Sequence, residues 1–129
     1  MTAAETRSGT SVALLRAVLA AHCCALLVQP SLAGEFLSGT DGVVKFHEWT
    51  GWAILGLCIL QIALAALAMR GGFASWWLTI GSVFVLMGEM LQVATGYLRF
   101  VRVHVPLGVI LFGAVLLQTI SVFRSGYRK

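Results

Sequence analysis

Two histidines head the same pattern in this chain of 129 residues. His47 opens HEWTGWAILGLCILQ and His104 opens HVPLGVILFGAVLLQ, and each is followed by Gly at +4, Gly at +9, Leu at +13 and Gln at +14. Matching apolar residues mean little in such runs, but His and Gln are uncommon there, so the shared spacing reads as a duplication. At about 100° per residue, offsets of 4, 7, 11 and 14 return to within roughly 40° of the start. His47, Gly51, Ile54, Cys58 and Gln61 therefore share one helix face, as do His104, Gly108, Leu111, Val115 and Gln118. Two neutral imidazoles at equal depth on different helices are the arrangement that holds haem iron at both axial positions. Gly51 and Gly108, one turn further on, would leave room for a flat macrocycle. The expectation is one haem b ligated by His47 and His104. The plainer alternative has both histidines bonded to water and loop carbonyls at their helix starts.

The elements that must position these residues follow from composition. The chain is 59% hydrophobic and 11% charged, with mean hydropathy +0.91, whereas soluble domains are roughly 25% charged. Four apolar stretches can each supply the roughly 20 residues that cross a hydrocarbon core. They predict helices over 12–33, 45–69, 74–98 and 103–123, an all-α four-helix transmembrane bundle of two repeated hairpins filling 12–123. Residues 1–11 read as a disordered cytoplasmic tail, and 124–129 as a second tail.

The formal net charge of +4 would suggest nucleic acid in a soluble protein, but here the cations lie between apolar runs and report topology. Arg7, Arg16, Arg70, Arg124, Arg128 and Lys129 fall on one side, and Lys45, Arg99 and Arg102 on the other. By the positive-inside rule both termini of this multi-pass protein are cytoplasmic. Ser31-Leu32-Ala33 before Gly34 also resembles a signal-peptide cleavage site, although the repeat favours retention of the first helix.

Glu48 lies at the start of a predicted span, and Glu89 is the sole acid deep within one, which marks it as functional by default. It lies roughly 13 Å from the outer helix end and His22 roughly 12 Å, so the two can pair as a proton or quinol site. A neutral Glu89 bonded to a helix carbonyl is the alternative. Gln61 and Gln118, at equal depth, are expected to hydrogen-bond across the bundle. Gly56 and Gly113 fall on the opposite face, where close helix approach is expected. Cys23, Cys24, Met69, Met87 and Met90 read as packing residues, and no disulfide or zinc spacing is present.

From about Val12 to Phe123 the chain resembles one four-helix half of the haem A synthase family. The resemblance is carried by VQPSLAG leading to His47, by LQVATGYLRFVRVH ending in His104, and by the glycine-spaced segments that follow. It implies the four-helix fold and His47 and His104 as axial ligands of one b-type haem. Two departures separate the chain from the synthase activity. Val43 and Val44 stand where the family carries an acid before a ligand histidine, and residues 31–46 lack its loop cysteine pair.

The expectation is a small b-type cytochrome that transfers single electrons, linked to quinol or a redox protein, and not an enzyme by itself. Arg99 and Arg102 stand where haem propionates would be paired. A homodimer or larger complex stays open. So do a haem-free accessory subunit and a small proton-coupled transporter using Glu89.

Overall fold

The computed structural model describes residues 3–125, and side chains over 10–124. It is all-helical among these, with α1 over Ala3–Leu37, α2 over Val43–Arg70, α3 over Trp76–Tyr97 and α4 over Val101–Ser125. The helices overrun the predicted bounds by a few residues at most ends. At the N-terminus the difference is larger: the segment expected as a tail is helical from Ala3, with no Gly-Pro break to stop α1. Residues 126–129 of the expected second tail lie outside the described residues.

The connections are short and locally encoded. Gly72, with φ 76°, reverses the chain after α2, and Ser75 caps α3 by accepting from the Trp77 amide. Arg99 takes φ 55° between α3 and α4, a left-handed position held by hydrogen bonds from its amide to the Gly96 carbonyl and from the Phe100 amide to the Thr95 carbonyl.

Each of the four helices is long and apolar enough to cross a membrane. Their mutual arrangement is a square: α1 lies beside α2 and α4, and α3 beside α2 and α4. The diagonal pairs are thus α1/α3 and α2/α4, so the two histidine helices face each other through the centre. Two buried apolar clusters fill the axis. Leu26, Ile54, Cys58, Val85, Leu111 and Val115 form the middle layer, and Leu15, Leu19, Ala65 and Ala68 the end nearest the α2–α3 loop.

The outer surface is a lipid-facing one. Phe84, Val109, Ile110 and Leu117 are each about two-thirds exposed, an arrangement that an apolar surrounding favours. Trp76 and Trp77 stack at 3.8 Å near one end, and Trp49, Tyr97 and Phe100 are exposed near the other, matching the aromatic belts at membrane interfaces. Met87 and Met90 also face outward and do not fill the core as expected. Gly56 and Gly113 do not admit a neighbouring helix: a Cβ at either meets nothing within 4 Å, because the face opposite the histidines is the lipid face.

Helix α1 supplies Leu15, Leu19, His22 and Leu26 to the interior, so it is a full member of the bundle. Arg16 ties its lower end to α4, donating to the Val122 carbonyl at 3.3 Å and lying 5.5 Å from the Phe123 ring centre.

Candidate functional site

Three contacts cross the diagonals of the square, stacked along its axis. At the end nearest the α3–α4 loop, the His47 and His104 rings lie with centroids 6.1 Å apart and planes inclined at 54°. The helical repeat brings them to one level, as their spacing predicts. A metal ion bonded to one nitrogen of each ring at about 2 Å would separate the ring centres by roughly 6 Å.

The surroundings of the pair define its chemistry. His104 Nδ1 lies 2.9 Å from the Gln92 backbone carbonyl, and a carbonyl only accepts, so Nδ1 carries the hydrogen and Nε2 keeps its lone pair. This is the outer contact by which a protein fixes the tautomer of a ligating histidine. His47 is held differently: Gln29 Nε2 donates to the His47 carbonyl at 3.2 Å and to Thr50 Oγ1 at 2.8 Å. Of six buried side-chain atoms without a partner among the described residues, three surround the histidines: His47 Nδ1, Gln29 Oε1 and Gln92 Oε1. Buried polar atoms are ordinarily satisfied, so this concentration marks a place where polar chemistry is unfinished.

Gly51 and Gly108 serve as seats for the two glutamines. A Cβ at Gly108 would lie 2.9 Å from Gln92 Nε2, and one at Gly51 3.8 Å from Gln29 Nε2. The space expected for a macrocycle edge is taken up by glutamine amides in this arrangement. A Cβ at Gly96 would lie 3.0 Å from the His104 ring. Arg99 and Arg102 are both exposed at the same end, and Tyr97 donates to Glu48 there, joining the end of α3 to the start of α2.

Within the middle layer, at the level of Cys58, lies the second diagonal contact. His22 of α1 and Glu89 of α3, 0% and 2% exposed, meet at 2.7 Å between Nε2 and Oε1, the partnership their depths predict. His22 Nδ1 lies 2.8 Å from Gln61 Oε1. Gln61 makes the third diagonal contact, donating from Nε2 to Gln118 Oε1 and to Ser82 Oγ, both at 2.7 Å. The Ser82 hydroxyl lies 2.9 Å from the Leu78 carbonyl, and the Cys58 thiol 3.6 Å from the Ser82 carbonyl. Ligand atoms of His22, Cys58 and Glu89 all fall within 4.8 Å of one another, but both ring nitrogens of His22 are engaged within the network. Ser82 and Cys58 were not foreseen here, because neither is distinctive in an apolar sequence until the bundle places it.

The network ends at a cleft of about 510 Å³ lined by Val12, Arg16, Phe73, Trp77, Leu117 and Gln118 among others. Buried polar groups thus run from Glu89 near the middle of the bundle to the edge of this cleft, on the face that carries the α2–α3 loop.

No protein-family model, curated protein or solved structure matches this chain.

Proposed function

We propose that the protein is a small b-type membrane cytochrome, holding one haem between His47 and His104 and passing single electrons. The observation that carries this reading is the facing of the two rings across the α2/α4 diagonal at 6.1 Å. The bond from His104 Nδ1 to the Gln92 carbonyl supports it by leaving Nε2 free to ligate. So do the unpartnered atoms of His47, Gln29 and Gln92, and the likeness to one half of haem A synthase. Bound there, haem would supply a one-electron couple whose potential is set by its axial ligands and burial. The chain's own part is to present two neutral imidazoles, fix the His104 tautomer and flank them with the Gln29 and Gln92 amides.

Exposed Arg99 and Arg102 stand at the same end and offer the charge that carboxylate substituents of such a ring require. The donor is quinol or a reduced redox protein reaching that end from the membrane or the aqueous side. With both termini assigned to the cytoplasm by the charge bias, the histidine end faces outward.

The test is an absorption spectrum of the purified protein, oxidised and reduced. A Soret band that sharpens and shifts on reduction is expected, with six-coordinate character lost in His47→Ala and in His104→Ala and retained in His22→Ala. A colourless protein, or loss confined to His22→Ala, overturns the assignment. A proton-coupled transporter is the second reading, favoured by the buried His22–Glu89 contact that Gln61 and Gln118 connect to the cleft. Colourless protein whose vesicles carry a Glu89-dependent proton flux would support it.

A further inference from the structure

The hydrogens around His22 can be counted. Gln61 spends both amide hydrogens on Ser82 Oγ and Gln118 Oε1, so its Oε1 is the atom facing His22, and His22 Nδ1 must be a donor. Between His22 Nε2 and Glu89 Oε1, 2.7 Å apart, one hydrogen is required, since two facing lone pairs would repel. Whichever atom owns it, the pair as a unit is neutral. Glu89 Oε2 is then a buried acceptor with no donor, and so is Gln92 Oε1, one turn further along α3. Glu89 itself is thus one hydrogen short of satisfaction.

From these counts we infer that the Glu89–His22 pair takes up one proton when an electron arrives at the His47/His104 centre. This rests on the cofactor reading above and extends it to coupled electron and proton transfer. The balance is one electron from quinol or a reduced redox protein, and one proton from water in the Arg16 cleft. The proton forms an O–H bond at Glu89 Oε2, creating a donor one turn from the unpartnered Gln92 oxygen. The pair then carries one positive charge, costly by itself in an apolar interior, and the added electron offsets it.

Leu26, Ile54 and Leu111 lie between the pair and the histidine rings, and the proton rests on Glu89. The coupling is electrostatic and reciprocal: reduction favours proton uptake, so protonation raises the potential. The titratable groups facing Glu89 are His22 from α1 and Cys58 from α2. Helix α4 brings Leu111, Phe112, Ala114 and Val115 to this layer, none of them titratable, and Gln118 below it.

The test is a potentiometric titration of the haem-containing protein in lipid nanodiscs at several pH values, with a redox difference infrared spectrum. In the wild type the midpoint should fall as pH rises, with full one-for-one coupling giving about 59 mV per tenfold change in proton activity. Glu89→Gln should flatten that slope, while Glu35→Gln, at the opposite end of α1, should leave it unchanged. The infrared spectrum should gain a carboxylic-acid carbonyl band on reduction that Glu89→Gln lacks. A haem-bearing Glu89→Gln protein with the wild-type slope overturns the inference and leaves the cofactor reading standing. So does a wild-type spectrum without the carboxylic-acid band, which decides the matter even if the variant does not fold. Purified protein without haem overturns both.

Discussion

Gln61 and Gln118, each fourteen residues after its histidine, are joined by a hydrogen bond of 2.7 Å from the Gln61 amide to Gln118 Oε1. The lower ends of α2 and α4 are thus fixed in register where the upper ends bring His47 and His104 together. Identical sequence positions nevertheless have unequal surroundings. Gln61 is fully buried and bonds His22, Ser82 and Gln118, whereas Gln118 accepts from Gln61 and from Ser82 at 3.3 Å. Each buried group orphaned costs about 1–3 kcal/mol. Gln61→Leu should therefore destabilise more than Gln118→Leu, and the double variant should cost less than the sum. Reversible unfolding in mixed detergent measures all three. Equal single effects would show that the network does not discriminate between the repeats.

Removing one member of the His22–Glu89 pair should be worse than removing both. His22→Leu strands a carboxyl in the interior, at about 3–5 kcal/mol for breaking a buried pair. His22→Leu combined with Glu89→Leu fills the space with apolar groups and should recover most of that loss, and any proton coupling should vanish with it. Thermal unfolding followed by circular dichroism reads the cycle. Additive losses would argue that the two groups do not interact.

The glycines separate by what surrounds them. Gly56→Ala and Gly113→Ala enter open space and should be neutral or stabilise by up to about 1 kcal/mol through helix propensity. Gly88→Ala places a methyl 2.7 Å from Leu111 Cδ2 and should cost about 1–3 kcal/mol by overpacking. Gly96→Ala presses on the His104 ring at 3.0 Å, so any haem spectrum should change there and not in Gly51→Ala, whose nearest neighbour is 3.8 Å away. Spectra and melting curves of the five variants check the order. An altered spectrum in Gly51→Ala with none in Gly96→Ala would reverse this assignment.

Topology is testable through reporter fusions. The six-to-three distribution of cations predicts cytoplasmic signals from fusions after Lys129 and within Arg70–Phe73, and external signals near Ser38. The opposite pattern would invert the bundle and place the Arg16 cleft outside.

The facing of His47 and His104 was legible in the sequence because rare polar residues recur there on a helical period. The Gln61–Gln118 and His22–Glu89 contacts were legible from depth. What periodicity does not carry is which helices become neighbours and which become diagonals. Gly56 and Gly113 were therefore assigned to helix contacts although their face meets lipid. Conversely, Gly81 and Gly88 on α3 have no spacing signal, although each lies under a side chain of α4. Gln29 and Gln92 lie in the segments VQPSLAG and LQVATGYLRFVRVH that carry the family resemblance, with no contact assigned by their spacing. Their laying of amides over Gly51 and Gly108 is a tertiary contact with no local sequence signature.

Aligning Gln29 with Gln92 sets His22 opposite Val85 and Leu26 opposite Glu89, and all four are buried. The histidine pair and the glutamine pair obey the two-fold relation between the hairpins, while the acid and its histidine break it. Two copies of one hairpin related by an exact two-fold would present every group twice, giving either no carboxyl or two in the same interior. A single neutral acid–histidine pair requires the hairpins to be joined in one chain and to differ. Covalent linkage of the repeats is therefore what permits an odd number of ionisable acids at the centre of an otherwise symmetric bundle.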